Sequence, residues 1–101
     1  MTETTWAALA DPHRRAVLDL LRAGERAVGE VVDALRLSQP QASKHLRVLR
    51  AAGLVQVRKD AQRRLYRLDP RPIAEVDTWL APYRQRWNES LDRLEHHLEN
   101  S

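Results

Sequence analysis

Apolar positions follow helical spacing over the first half of the chain, turn to partial alternation near the middle, and return to helical spacing in the last third. A short opening helix carries Trp6, Leu9 and Ala10, with Thr4 or Thr5 as its expected cap. Asp11-Pro12 reads as the N-cap and first position of a second helix, which presents Val17, Leu20 and Leu21 and stops at Gly24. Val28, Val31, Val32 and Leu35 stand at i, i+3, i+4 and i+7, so a third helix shows one apolar stripe. A fourth helix has the densest local signals. Ser38 and Gln41 form an S-x-x-Q capping box, and Pro40 falls in the first turn, where its missing donor costs little. Ala42, Leu46 and Leu49 make the buried stripe, and Gly53 stands where a left-handed C-cap is required.

Leu54 to Arg58 and Arg64 to Leu68 are β-prone runs separated by Lys59, Asp60, Ala61, Gln62 and Arg63, which predicts a two-stranded hairpin. Asp69-Pro70-Arg71-Pro72 then interrupts the chain. Beyond it Val76, Leu80, Tyr83, Trp87, Leu91, Leu94 and Leu98 recur at steps of three and four, close to a coiled-coil seam. Pro82 lies inside that pattern and predicts a kink or a break near Leu80. No repeat, low-complexity stretch or flexible linker divides residues 1–101, so the fold class is mainly α with a small β-hairpin in one domain.

Length changes the reading of the tail. A chain of 101 residues buries a limited core on its own, and a free apolar seam is satisfied most economically by a second copy. The absence of cysteine excludes disulfides, thiolate metal sites and cysteine nucleophiles, and fits a reducing compartment. With no long apolar run and no signal-type start, the expectation is a cytoplasmic protein without a membrane partner.

The net charge of +3 conceals a segregated pattern. Residues 38–71 hold nine Lys/Arg against two Asp/Glu, a local +7, while the remainder carries −4. A basic middle between acidic flanks suits nucleic acid, where cations displace phosphate counterions. Two short helices joined by Arg36-Leu37, the second opening with an exposed polar turn, have the form of a helix-turn-helix over 28–52. Gln39, Pro40, Gln41, Ser43, Lys44 and His45 are the candidate base-reading residues: glutamine can bond adenine, lysine can reach guanine, and serine can bond bases or phosphate. Ser38, Arg47, Arg58, Lys59, Arg63, Arg64 and Arg67 are the candidate contacts to the DNA backbone, the last five gathered on the hairpin at 54–68, which acts as a wing. The plainer readings are a solvated amphipathic helix and a charged edge that resists aggregation. No Ser/His/Asp grouping, phosphate-binding glycine loop or paired-carboxylate motif is present, so no enzyme is expected. A rival from another class is a winged-helix module that binds protein, distinguished by weak salt dependence.

From about Trp6 to Leu68 the chain resembles the ArsR/SmtB family of bacterial winged-helix repressors. ALADPHRRAVLDLL is similar to the family's opening helix phrase, VGEVVDALRLSQPQASKHLRVLRAAGLV to its helix-turn-helix, and RRLYRLDP to its second wing strand. The resemblance implies a winged helix-turn-helix dimerising through its N- and C-terminal helices, which blocks transcription from an inverted-repeat double-stranded DNA operator. Trp6, Leu9, Val76, Leu80, Tyr83, Trp87, Leu91, Leu94 and Leu98 are the expected interface, with 73–100 as one dimerisation helix or a kinked helix pair. The tail WLAPYRQRW resembles a metal-free branch. Where metal-sensing members place cysteines the chain has Ala27, Val28 and Gly29, and where they need Asp-x-His it has Arg84, Gln85 and Arg86. Zinc could still be recruited by Asp92, His96, His97 and Glu99, but the expectation is no metal, no cofactor, and no control of DNA release by zinc, cobalt or nickel. His13 is expected to be solvated, and His45 to touch DNA or the preceding helix. Trp79, Tyr83 and Trp87 are alternatively the wall of a pocket for a small apolar effector. Ala61 replaces the family's usual wing glycine, which puts the left-handed residue of the turn at Asp60.

Overall fold

A computed structural model describes residues 3–100. Its elements run α1 (Glu3–Leu9), α2 (Pro12–Arg22), β1 (Arg26–Ala27), α3 (Val28–Leu35), α4 (Gln39–Ala51), β2 (Val55–Asp60), β3 (Arg63–Leu68) and α5 (Arg71–Glu99). The core lies where α2, α3 and α4 meet the root of the hairpin. Val17, Leu18 and Leu21 of α2 pack with Val31 of α3, Ala42, Leu46 and Leu49 of α4, and Leu54 and Val55 at the entry to β2.

Local chemistry explains most of the boundaries. The Asp11 carboxylate accepts the backbone N–H groups of His13 and Arg14, and Pro12 supplies the first helical residue of α2. Ser38 Oγ accepts the Gln41 N–H at 3.2 Å while Gln41 Oε1 accepts the Ser38 N–H at 2.9 Å, closing the capping box of α4. At the other end Gly53 adopts φ +76. There the Leu54 N–H reaches the Leu49 carbonyl and the Gly53 N–H the Arg50 carbonyl, a Schellman ending that turns the chain into β2.

Four features differ from the sequence expectations. Helix α1 already includes Thr4 and Thr5, and Thr5 is buried, so neither threonine is the cap. The carbonyls at the other end of α1 are satisfied from outside: Arg14 donates to Ala7 and Ala8, and Arg15 to Leu9. The hairpin gains a third strand, in the order β1-β3-β2, because Arg26 and Ala27 pair antiparallel with Tyr66 and Leu65. The hairpin strands close to a two-residue turn, Ala61-Gln62, in which Ala61 and not Asp60 takes the positive φ of 56°. Lastly, α5 is one continuous helix of 29 residues through Pro82, not a pair broken near Leu80. A proline inside a helix removes one hydrogen bond and crowds the carbonyl four residues back, a local cost of about 3 kcal/mol that the helical turns on both sides carry.

Helix α5 sets the shape. Buried Asp69 anchors its start, accepting Arg71 through backbone and guanidinium and Gln56 Nε2 at 3.0 Å. The Arg71 guanidinium, then the Gln56 amide, hold the Asp69 carboxyl well below the usual carboxylate range. No residue of α5 is buried. The Cα radius of gyration is 18.1 Å and the long axis 63 Å, whereas a compact chain of this length has a radius of about 13 Å.

Candidate nucleic-acid interface

The reading helix and the wing lie side by side, and their outward faces are polar. On α4, Gln39, Pro40, Gln41, Lys44, Arg47 and Arg50 are exposed while Ala42, Leu46 and Leu49 point into the core, a division set by the helical period. Arg36, the residue between α3 and the entry to α4, adopts a left-handed conformation at φ 55° and ψ 42°. That bend, with the Leu37 N–H bonded to the Val32 carbonyl, delivers the first turn of α4 to the surface.

The candidate base readers divide on this geometry. Gln39, Pro40 and Lys44 are exposed and Ser43 is half-buried. Gln41 is exposed too, but its side-chain oxygen is committed to the cap, leaving its amide nitrogen for an outside partner. His45 is turned away: its ring stacks on His13 of α2, with centroids 5.7 Å apart and 21° between planes. It therefore belongs to the α2–α4 contact and not to the outward face, and burial, the largest influence on it, lowers its pKa.

The candidate backbone contacts divide in the same way. Arg58 is held by Glu25, Nε to Oε2 at 2.8 Å and Nη2 to Oε1 at 3.1 Å, a two-pronged pair across the sheet edge. The Arg58 hydrogen bond lowers the Glu25 pKa, and the same bond raises that of Arg58. Arg63 lies 3.5 Å from Asp60 across the turn. Lys59 and Arg64 face each other across β2 and β3, and neither has an acidic partner among the described residues. Arg50, which sequence reasoning had not singled out, lines one cleft with Val57, Arg58, Lys59 and Arg64. Its signal in sequence was only its place three residues beyond Arg47, one turn along the same helix face. Ser38 is exposed at the N-cap of α4, Arg47 on the helix itself, and Arg67 on β3.

The candidate interface residues form a second surface. Trp6 of α1 meets Trp79 of α5 edge to face, centroids 5.2 Å apart, and Trp79 lies 4.9 Å from Tyr83. Leu9 and Val76 share a groove with Leu18 and Ile73. Farther along α5, Trp87, Leu91, Leu94 and Leu98 stay exposed, 53–65 % each. Leu80 is half-buried. Among the described residues no helix is long and apolar enough to cross a membrane.

A three-helix core carrying a polar-faced reading helix and a basic hairpin defines a winged helix-turn-helix DNA-binding domain. A profile described as "Helix-turn-helix domain" matches residues 9–58. The chain is 42 % identical over 89 residues to the HTH-type transcriptional regulator Rv2034 of Mycobacterium tuberculosis, covering 88 % of this chain and 80 % of that one. It is 44 % identical over 69 residues to the HTH-type transcriptional repressor SmtB of the same organism, covering 68 % of this chain and 51 % of the relative. In three dimensions it matches the homodimeric winged helix-turn-helix DNA-binding domain of Mb0332 from Mycobacterium bovis with a TM-score of 0.67 and 32 % identity, over 81 % of this chain and 76 % of that one. The chain belongs to the ArsR/SmtB family of helix-turn-helix transcriptional regulators.

Proposed function

We propose that the protein is a homodimeric repressor that binds an inverted-repeat operator in the cytoplasm, and that it performs no catalysis. The observation that carries this reading is the convergence of Arg50, Lys59 and Arg64 on one cleft between the last turn of α4 and the hairpin. These three cations have no acid partner among the described residues, so they repel one another, and backbone phosphates relieve that repulsion. Gln39, Gln41, Ser43 and Lys44 read base edges, and Pro40 shapes the leading turn. Ser38, Arg47, Arg50, Lys59, Arg64 and Arg67 hold the phosphates. Arg58 and Arg63 serve the wing's own structure first, through Glu25 and Asp60.

The second copy joins along Trp6, Leu9, Val76, Leu80, Tyr83, Trp87, Leu91, Leu94 and Leu98, which places two reading helices on successive turns of one duplex. Binding titrations against an inverted-repeat duplex and a scrambled one, at several salt concentrations, test the proposal. A steep fall in affinity with salt, together with preference for one repeat, supports it. Salt-insensitive association, or equal affinity for every duplex, rejects it in favour of a protein-binding module.

A further inference from the structure

Between the first turn of α2 and the middle of α4, on the inner side of the reading helix, three side chains that ligate metals come together. Asp11, His13 and His45 each offer a ligand atom, and these atoms lie within 4.8 Å of one another. They are 34 residues apart in sequence at the extremes, so no local motif announces them.

Each side chain has capacity left for a ligand. Asp11 Oδ1 serves the helix cap, accepting the backbone of His13 at 2.7 Å and of Arg14 at 3.2 Å. Asp11 Oδ2 makes only a long approach to Arg14 Nη1 at 3.8 Å. His45 Nδ1 is buried and has no hydrogen-bond partner, a condition that native interiors rarely leave uncompensated. His13 is largely exposed, with its Nδ1 3.8 Å from Asp11 Oδ1. Its side chain is free to turn out of the stack, and it must, because two near-parallel rings cannot aim their in-plane lone pairs at one ion. Drawing ligand atoms from 4.8 Å to the roughly 3.3 Å edge of a tetrahedron with bonds of about 2.0–2.1 Å is within reach of that rotation. Arg14 and Lys44 are the cations that act on this corner. Arg14 is tethered by the Ala7 and Ala8 carbonyls, and Lys44 is exposed on the outer face.

We propose that Asp11, His13 and His45 bind one zinc-type divalent transition-metal ion, with water completing the coordination, so that the ion ties the start of α2 to the reading helix. The donor set of two imidazoles and one carboxylate suits zinc, cobalt or nickel and not calcium or magnesium, which favour all-oxygen surroundings. The site is built from other residues than Ala27 to Gly29, at the entry to α3, and the tail histidines. Its role is to fix the seating of α4 against α2, with no contact to the outward base-reading face.

The test uses the full chain, stripped with chelator and titrated with Co²⁺, read by visible ligand-field absorption and by the thermal midpoint. Asp11→Asn keeps a good cap residue, His13→Ala changes an exposed side chain, and a His96→Ala/His97→Ala double variant serves as control. Saturable binding of one ion per protomer is expected in the wild type and the control, with a rise in thermal midpoint. His13→Ala and Asp11→Asn should each weaken binding by about tenfold or more and lose that rise, while His13→Ala melts like the wild type without metal. Undiminished binding in His13→Ala, loss of binding in the tail double variant, or no saturable binding by the wild type would each overturn the proposal.

Discussion

Among the described residues two that are not glycine sit in the left-handed region, Ala61 at φ 56° in the wing turn and Arg36 at φ 55° between α3 and α4. An L-residue there costs roughly 1–2 kcal/mol that glycine avoids. Ala61→Gly should therefore raise stability by about 0.5–1 kcal/mol after the added freedom of the unfolded chain is subtracted; urea unfolding measures it, and a lowered midpoint would contradict the assignment of strain. Asp69 gives a prediction in pH. Its folded pKa is depressed by Arg71 and Gln56, so its contribution is fully present above the ordinary carboxylate pKa of about 3.9 and disappears as pH falls below that value. Asp69→Asn should lower stability at neutral pH and flatten the acid limb of the stability curve; parallel acid limbs in the two proteins would count against it. Neither residue's part is legible from sequence, because a backbone sign at Ala61 and a buried carboxylate at Asp69 both depend on what the surrounding chain imposes.

Among the elements, α4 is the most legible, since Ser38, Gln41 and Gly53 act on backbone groups within a turn of themselves. The strand β1 is hidden for the opposite reason: it is two residues long and exists only because Tyr66 and Leu65, far along the chain, accept it as a partner. The stacking of His45 on His13 and the pairing of Arg58 with Glu25 are equally non-local, which is why composition could gather the wing cations but could not separate the free ones from the committed ones. That separation sharpens the division of labour between helix and wing. Lys44→Ala should cost about 1–3 kcal/mol on the operator and relax base preference at one position per half-site. Lys59→Ala with Arg64→Ala should weaken operator and scrambled duplex alike and reduce the salt slope by up to about one unit per lost phosphate contact. Arg58→Ala should mainly lower the unfolding midpoint. If the wing pair altered base preference while Lys44→Ala changed only general affinity, the roles would be reversed.

At the scale of the molecule, the positions read from Val76 to Leu98 fall on one continuous helix of 29 residues with no break at Pro82, because the proline's cost of about 3 kcal/mol is confined to one turn. Removing residues from Trp87 onward deletes Trp87, Leu91, Leu94 and Leu98, all exposed in the single chain. Sedimentation of that truncation should show monomers or aggregates, and a folded, operator-competent monomer would refute the assigned dimer seam. If the exposed apolar end of α5 from Trp87 to Leu98 is covered by another copy, the regulator becomes a gauge of its own abundance. Below the dimer dissociation constant, operator occupancy by a dimer rises with the square of the protomer concentration, and the thermal midpoint climbs with concentration as well. Halving expression in that regime would then cut occupancy about fourfold, so the promoter would respond to small changes in protein level more sharply than simple one-to-one binding allows.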